Sequence, residues 1–355
     1  MSHPYQCYFE IINQAEAWQE AVENVQAKSE SIKAFFDEMD PGEIIFTGCT
    51  SPYYAGISSA AYWQSALGIH TKAVPCSELI QFPSSFYSTK NGKPVLVVLS
   101  RSGKTTETLW AVEQFEKQFP GRTLLIGCLP NTPLEKMVPL NIMLPKAYED
   151  TVPQTRSFAA MYLAAQMVGA IVSGQDKTLN ALINAPAIVS RIIQSIEPTI
   201  ASIYKDQDFQ NIFYLGSGPF YGIAREGTLK MMEMTISNTI CVPFMESRHG
   251  PRSLIDENSL VIGLYSRAGR GYEAKVMDEL TRNHGAKTVA IIPDSSWETG
   301  EVSYKLPADC DWQDEILPVS YLPAIHLLAY YRALAKGVNP DTSRNLTAYI
   351  EIARP

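Results

Sequence analysis

Three groups of side chains in this sequence combine residue type and spacing in ways that chemistry can use. The first is Ser100-Arg-Ser-Gly-Lys-Thr105, which ends the apolar run Pro94–Leu99 and leads into helix-like sequence from about Thr106. Small residues and Gly103 let successive backbone N–H groups converge on an anion. The hydroxyls of Ser100, Ser102 and Thr105 add donors, and the helix start adds the positive end of its dipole. A phosphate monoester suits such a loop.

The second group is Glu226-Gly-Thr-Leu-Lys-Met-Met-Glu233, where Glu226, Lys230 and Glu233 fall on one helix face at i, i+4 and i+7. Met231, Met232 and Met234 surround Glu233 with apolar bulk, an environment that pushes a carboxyl toward the pKa of a working base. The third is His249, which sits in Arg248-His-Gly-Pro251, a turn with two conformationally special residues. It is singled out among five histidines: His3 is terminal, His70 and His284 read as loop residues, and His326 lies on an apolar helix.

Neighbouring readings fail on spacing. Gly103-Lys104-Thr105 looks like the end of a nucleotide P-loop, but that motif needs a glycine where Val98 stands. Gly216-Ser-Gly218 opens like a dinucleotide fingerprint, yet Tyr221 takes the place of the third glycine. No HExxH or comparable ligand spacing accompanies His249, so no metal is expected, and the chemistry requires no organic cofactor.

The elements that position these groups come in two copies. Glu43–Gly48 and Asn211–Gly216 are apolar runs ending in a glycine turn. Pro94–Gly103 is matched by Leu260–Gly269, and Arg122–Ile126 by Lys287–Ile291. The pairs Gly48/Gly216, Gly103/Gly269 and Arg122/Lys287 are offset by 168, 166 and 165 residues, a step too regular for accident. Short, continuously apolar strands alternate with helical segments at Tyr54–Leu67 and Tyr221–Met234, the pattern of a parallel sheet covered on both faces. Ligands bind such sheets beyond the carboxyl ends of the strands, where the Gly/Ser/Thr turns lie. The second loop, Ser266-Arg-Ala-Gly269, lacks the second serine and the threonine, which argues for one phosphate loop per chain.

This pattern divides the chain into an N-terminal helical segment (1–40, with a helix through Trp18 to Phe36), a first α/β domain (41–184) and a linking helix (185–205). A second α/β domain (206–337) and a C-terminal tail (338–355) follow. A length of 355 residues accommodates two such cores. With a net charge of −8 and no basic stripe, nucleic acid is not an expected partner, and a phosphate has to be held locally. No apolar stretch reaches membrane-spanning length, and the N-terminus lacks an export pattern. Six scattered cysteines without a CxxC pair fit reduced thiols in the cytoplasm.

Together these residues resemble the double sugar-isomerase (SIS) domain family, best known from the isomerase half of glucosamine-6-phosphate synthase, from Ile44 to Leu346. The resemblance is carried by the Ser100–Thr105 loop, Glu226-Gly-x-x-Lys-x-x-Glu233, Arg248-His-Gly-Pro251 and Asn339-Pro-Asp-x-x-Arg-Asn-Leu346. It implies an α/β fold of two tandem SIS domains, each a parallel sheet with helices on both faces. It implies sugar-phosphate binding by Thr50, Ser51, Ser100, Ser102, Gly103, Thr105 and Gln154. Catalysis would fall to Glu233 and His249 with Lys230 and Glu226, in a homodimer or higher homo-oligomer that shares sites.

Two departures narrow the activity that the resemblance implies. The ammonia-supplying amidotransferase domain has no counterpart here, so synthase activity is not expected. Where ring-opening members carry a lysine shortly after Arg-Asn-Leu, this chain has Thr347-Ala348. The chain is therefore more similar to the deglycases of fructoselysine or glucoselysine 6-phosphate. In that reading Glu233 takes a carbon-bound proton, His249 serves as acid and base at oxygen, and water splits the resulting imine. A glucosamine-6-phosphate deaminase or ketose/aldose isomerase is the nearest alternative, and a non-catalytic sugar-phosphate sensor the alternative of a different class.

Overall fold

A computed structural model describes residues 3–90, 92–205 and 207–353. Asp206, the expected start of the second domain, lies outside the described residues. The chain forms two compact units. One comprises Gln14–Asp150, Gln154–Pro186 and Thr347–Pro355; the other comprises Met1–Asn13, Thr151–Pro153 and Ala187–Leu346.

The first unit is built on strands β1 (Glu43–Thr47), β2 (Thr71–Ala73), β3 (Pro94–Ser100), β4 (Thr123–Gly127) and β5 (Leu140–Met143), all parallel, in the order β2-β1-β3-β4-β5. Every residue of β3 is buried, the outcome of a central strand covered on both faces, and this explains its unbroken apolar run. Helices Ser51–Leu67 and Gln14–Ala27 pack on helix Arg156–Val172. The expected single helix through Trp18 to Phe36 is two helices, Gln14–Ala27 and Ser29–Met39. The chain leaves helical ψ at Lys28 (φ −101°, ψ 6°), whose ammonium is tied to the Asn141 carbonyl.

The second unit repeats the plan with β6 (Asn211–Leu215), β7 (Thr239–Val242), β8 (Ser259–Leu264), β9 (Lys287–Ile292) and β10 (Tyr304–Pro307), again all parallel. Its order, β7-β6-β8-β9-β10, reproduces the first sheet strand for strand. Helix Leu317–Lys336 packs against helix Tyr221–Thr235 and against Gln6–Ile12. The Asp341 carboxylate of the Asn-Pro-Asp motif accepts from the N–H groups of Gln6 (2.7 Å) and Cys7 (2.8 Å), capping the first helix of the chain. The tail is thus divided: residues to Leu346 belong with the second sheet, and those from Thr347 with the first.

In a 2-1-3-4-5 sheet the strand order reverses between the first and third strands, and the turns leaving those strands flank a ligand crevice. In the first unit they are Gly48–Ser51 and Ser100–Thr105. Among the described residues no helix is long and apolar enough to cross a membrane.

Candidate functional site

The turn after β3 is held by its own hydroxyls. The Gly103 N–H donates to Ser100 Oγ (3.1 Å) and the Lys104 N–H to Ser102 Oγ (3.3 Å). Gly103 has φ +60°, and a Cβ there would collide with the Thr132 side chain, so only glycine closes this turn. Thr105 precedes helix Thr106–Gln118 in extended conformation, and its hydroxyl caps nothing in that helix. One small cleft gathers Ser100, Ser102, Thr105 and Gln154, four of the predicted ligands.

The β1 turn contributes Cys49 and Pro52 to that cleft; Thr50 is exposed, and Ser51 is buried in the first turn of helix Ser51–Leu67. Arg101 and Thr108 also line the cleft and were not singled out from sequence, and Ala348, marked in the sequence as standing where a lysine was expected, lines it too. Arg101, only 3% exposed, donates from Nη2 to the Ala348 carbonyl (2.7 Å). The tail goes on along the helix start. The Thr106 N–H donates to Ile350 O, and the Ile352 N–H to Thr106 Oγ1, both at 3.1 Å. The Lys104 ammonium lies 5.6 Å from the Tyr349 ring centre.

The equivalent loop after β8 has the same internal bond, Gly269 N–H to Ser266 Oγ (2.9 Å), but two carboxylates of its own unit are seated in it. Glu273 accepts from the Ser266 N–H (2.8 Å) and hydroxyl (2.7 Å). Asp314 accepts from the N–H groups of Arg267 (2.6 Å) and Ala268 (2.8 Å). Burial raises the Glu273 carboxyl to about 7, although its bonds from Ser266 oppose the rise. The second loop is an anion nest filled from within. Glu107, at the corresponding place in the first unit, faces a separate groove with Trp110 and Ile352.

In the second unit, helix Tyr221–Thr235 brings Glu226, Lys230 and Glu233 together as their spacing predicts. Lys230 Nζ lies 3.3 Å from Glu226 Oε1 and 2.5 Å from Glu233 Oε2. Lys230 and Glu226 have no exposed side-chain surface; Glu233 keeps 14%. Burial alone would lower the lysine, but the charges of Glu226 and Glu233 outweigh it and raise its pKa.

The expectation of apolar surroundings for Glu233 is corrected. Met231 and Met234 are buried but Met232 is exposed, and the partner of the Glu233 carboxylate is an ammonium. Fully buried His326, on helix Leu317–Lys336, is lowered to about 3 by desolvation and then by the Lys230 charge, so it is a neutral imidazole near the cluster. His249 lies exposed between two short 3-10 turns, Met245–Arg248 and Gly250–Leu254. The turn is pinned by Arg248, which grips Glu279 with Nε (2.9 Å) and Nη2 (2.7 Å). Among the described residues no hydrogen bond joins His249 to Glu233.

No protein-family model matches the sequence. The glutamine–fructose-6-phosphate aminotransferase [isomerizing] of Sulfurisphaera tokodaii is 24% identical over 360 aligned residues, 99% of this chain and 57% of that protein. The chain therefore spans little more than half the length of this curated relative. Among solved structures, the tagatose-6-phosphate ketose/aldose isomerase from Escherichia coli superposes with a TM-score of 0.84 at 24% identity, covering 95% of each chain. The C-terminal domain of glucosamine-fructose-6-phosphate aminotransferase from Francisella tularensis gives 0.83 at 22% identity, covering 96% of this chain and 99% of that one. These likenesses establish the fold.

Proposed function

We propose that this tandem sugar-isomerase (SIS) chain, homologous to the isomerase part of the glutamine–fructose-6-phosphate aminotransferases, is an enzyme of 6-phosphorylated amino sugars that splits the C–N bond of a glycated amine. The observation that carries the phosphate assignment is the contrast between the two loops. The second is filled by Glu273 and Asp314, while the first presents Ser100, Ser102 and Thr105 to a cleft whose described lining includes no carboxylate.

In this reading Ser100, Ser102 and Thr105 hold the 6-phosphate, with Ser51, Thr50, Gly103 and Gln154 shaping the surroundings. Binding energy from that remote group orients the reacting carbons. Glu233, aimed by Lys230 and Glu226, removes a proton from the carbon beside the amine of the opened sugar. His249 exchanges protons at oxygen. The resulting enaminol regains a proton on the neighbouring carbon to give an imine, and water adds across C=N to release sugar phosphate and free amine. Ala348 supports C–N cleavage over lysine-assisted isomerisation, since its carbonyl is taken by Arg101 and its methyl carries no amine.

The test is product analysis with a panel of amino acids glycated and phosphorylated at C6. Stoichiometric release of amino acid and sugar 6-phosphate is expected. Interconversion of ketose and aldose phosphates without amine release would transfer the chain to the second reading, a sugar-phosphate isomerase, which the structural likeness to the tagatose-6-phosphate isomerase favours.

A further inference from the structure

Two thiols at the ends of β1 and β2 are left unused by the proposed reaction. Cys49 follows Gly48, and Cys76 opens helix Cys76–Gln81 just past β2. The parallel pairing of β1 with β2 continues beyond both strands: the Val74 N–H donates to Phe46 O (2.9 Å) and the Cys76 N–H to Gly48 O (3.2 Å). Cys49 and Cys76 thus stand side by side just past the ends of neighbouring strands. Neighbouring strands are spaced by about 4.8 Å, inside the ~4.4–6.8 Å between Cα atoms that a disulfide spans.

Their side chains converge. Thr108 Oγ1 is 3.4 Å from Cys49 Sγ and 3.7 Å from Cys76 Sγ, so the two thiols flank one hydroxyl, and Thr47 Oγ1 is 3.4 Å from Cys76 Sγ. Cys49 is partly exposed and lines the cleft of Ser100, Ser102 and Thr105; Cys76 is buried behind it.

The two sulfurs divide their roles by access. Cys49 borders the cleft and is the one a peroxide reaches, while Cys76 has no exposed surface and stands behind it as the resolving thiol. Cys76 is lowered by the neighbouring thiol and by the hydroxyls of Thr47 and Thr108, which suits it to attack the oxidised Cys49.

We propose that Cys49 and Cys76 are a peroxide-sensitive thiol pair whose disulfide disables the adjoining anion cleft. The Cys49 thiol attacks one peroxide oxygen, the O–O bond breaks, and the departing hydroxide takes the Cys49 proton and leaves as water, so that Cys49 becomes a sulfenic acid. The Cys76 thiol then attacks that sulfur, forming the S–S bond, and its proton leaves with the sulfenic hydroxyl as the second water. In sum, two thiols are oxidised and one hydrogen peroxide is reduced to two waters. The bond draws Cys49 away from Thr108 and shifts the turn that leads through Thr50 (φ +54°) and Ser51 to the wall of the cleft. Loss of sugar-phosphate binding follows, a consequence that rests on reading this cleft as the phosphate site.

The test treats the whole protein with hydrogen peroxide and reads it twice. Peptide mapping should recover a Cys49–Cys76 linked pair, absent from Cys49→Ser and from Cys76→Ser. Calorimetry with glucose 6-phosphate should show affinity falling about tenfold or more, the worth of a charge-assisted hydrogen bond, and returning on reduction. No linked pair, or a linked pair with unchanged affinity, overturns the proposal. If reduced protein fails to bind glucose 6-phosphate at all, the phosphate reading falls, while the mapping still decides whether the thiols pair.

Discussion

Lys230, with no exposed side-chain surface, donates to Glu233 at 2.5 Å, and Glu233 alone of the Glu226–Lys230–Glu233 cluster reaches solvent. The lysine holds the catalytic candidate from inside the helix packing while its other neighbour, Glu226, shares the charge. Lys230→Met should therefore destabilise the protein by about 3–5 kcal/mol, because it strands the buried Glu226 carboxylate, and Glu226→Gln in the same chain should recover part of the loss. Urea midpoints of the single and double variants check this. The pKa of Lys230 is raised on folding, so its contribution is complete below the unfolded value of ~10.4 and is lost as pH rises through the folded one. The Lys230→Met penalty should shrink in strongly alkaline buffer.

Glu233→Gln keeps the shape and a hydrogen-bonding oxygen but removes the base. Turnover should drop by ~10²–10⁴, the usual worth of one proton-transfer group, with sugar 6-phosphate affinity changed only slightly. Stopped assays and calorimetry on one preparation separate the two numbers. Near-normal turnover would remove Glu233 from the mechanism.

The repeat that organises the molecule is plain in the sequence wherever a strand is central. β3 and β8 are continuously apolar because both faces are covered, and each ends in a Ser/Gly turn that flags its place. Short strands of the sheet edges gave no such signal: Thr71-Lys-Ala73 and Leu140-Asn-Ile-Met143 interleave polar residues and are partly buried. The site divides the same way. Ser100, Ser102, Thr105 and the Glu226–Lys230–Glu233 face follow from local spacing. Long-range partners do not: His326 lies 96 positions from Lys230, and Arg101 meets Ala348 only because the tail returns across the loop. The apolar reading of Glu233 went astray by weighing its chain neighbours over Lys230, one helical turn back.

Thr105→Val deletes a donor from the first loop without touching its backbone path, and Ser102→Ala deletes one and also frees the Lys104 N–H. Each should raise the dissociation constant for a sugar 6-phosphate by about tenfold, with little change in melting temperature. Gly103→Ala should act differently. Its φ of +60° and the collision with Thr132 cost about 1–3 kcal/mol of stability, and binding falls because the turn itself is displaced. Parallel thermal melts and titrations distinguish lost donors from a lost turn.

The carboxylate that fills the second loop has a pH dependence opposite in sign to that of a carboxylate held down by a cation. Glu273, raised to about 7 by burial, holds its proton in the folded state through a range in which the unfolded chain has released it. The folded state binds more protons there, so stability declines as pH climbs from the unfolded value near 4.5 to about 7 and then levels off. Glu273→Gln carries no such titration. It should match the wild type near pH 4.5 and exceed it at pH 8 in urea midpoint, flattening this part of the profile. Glu273→Ala empties half the nest, but Asp314 still occupies the N–H groups of Arg267 and Ala268. Phosphate stoichiometry by calorimetry should therefore stay at one per chain in that variant; a second equivalent would mean that Glu273 alone keeps the second loop closed.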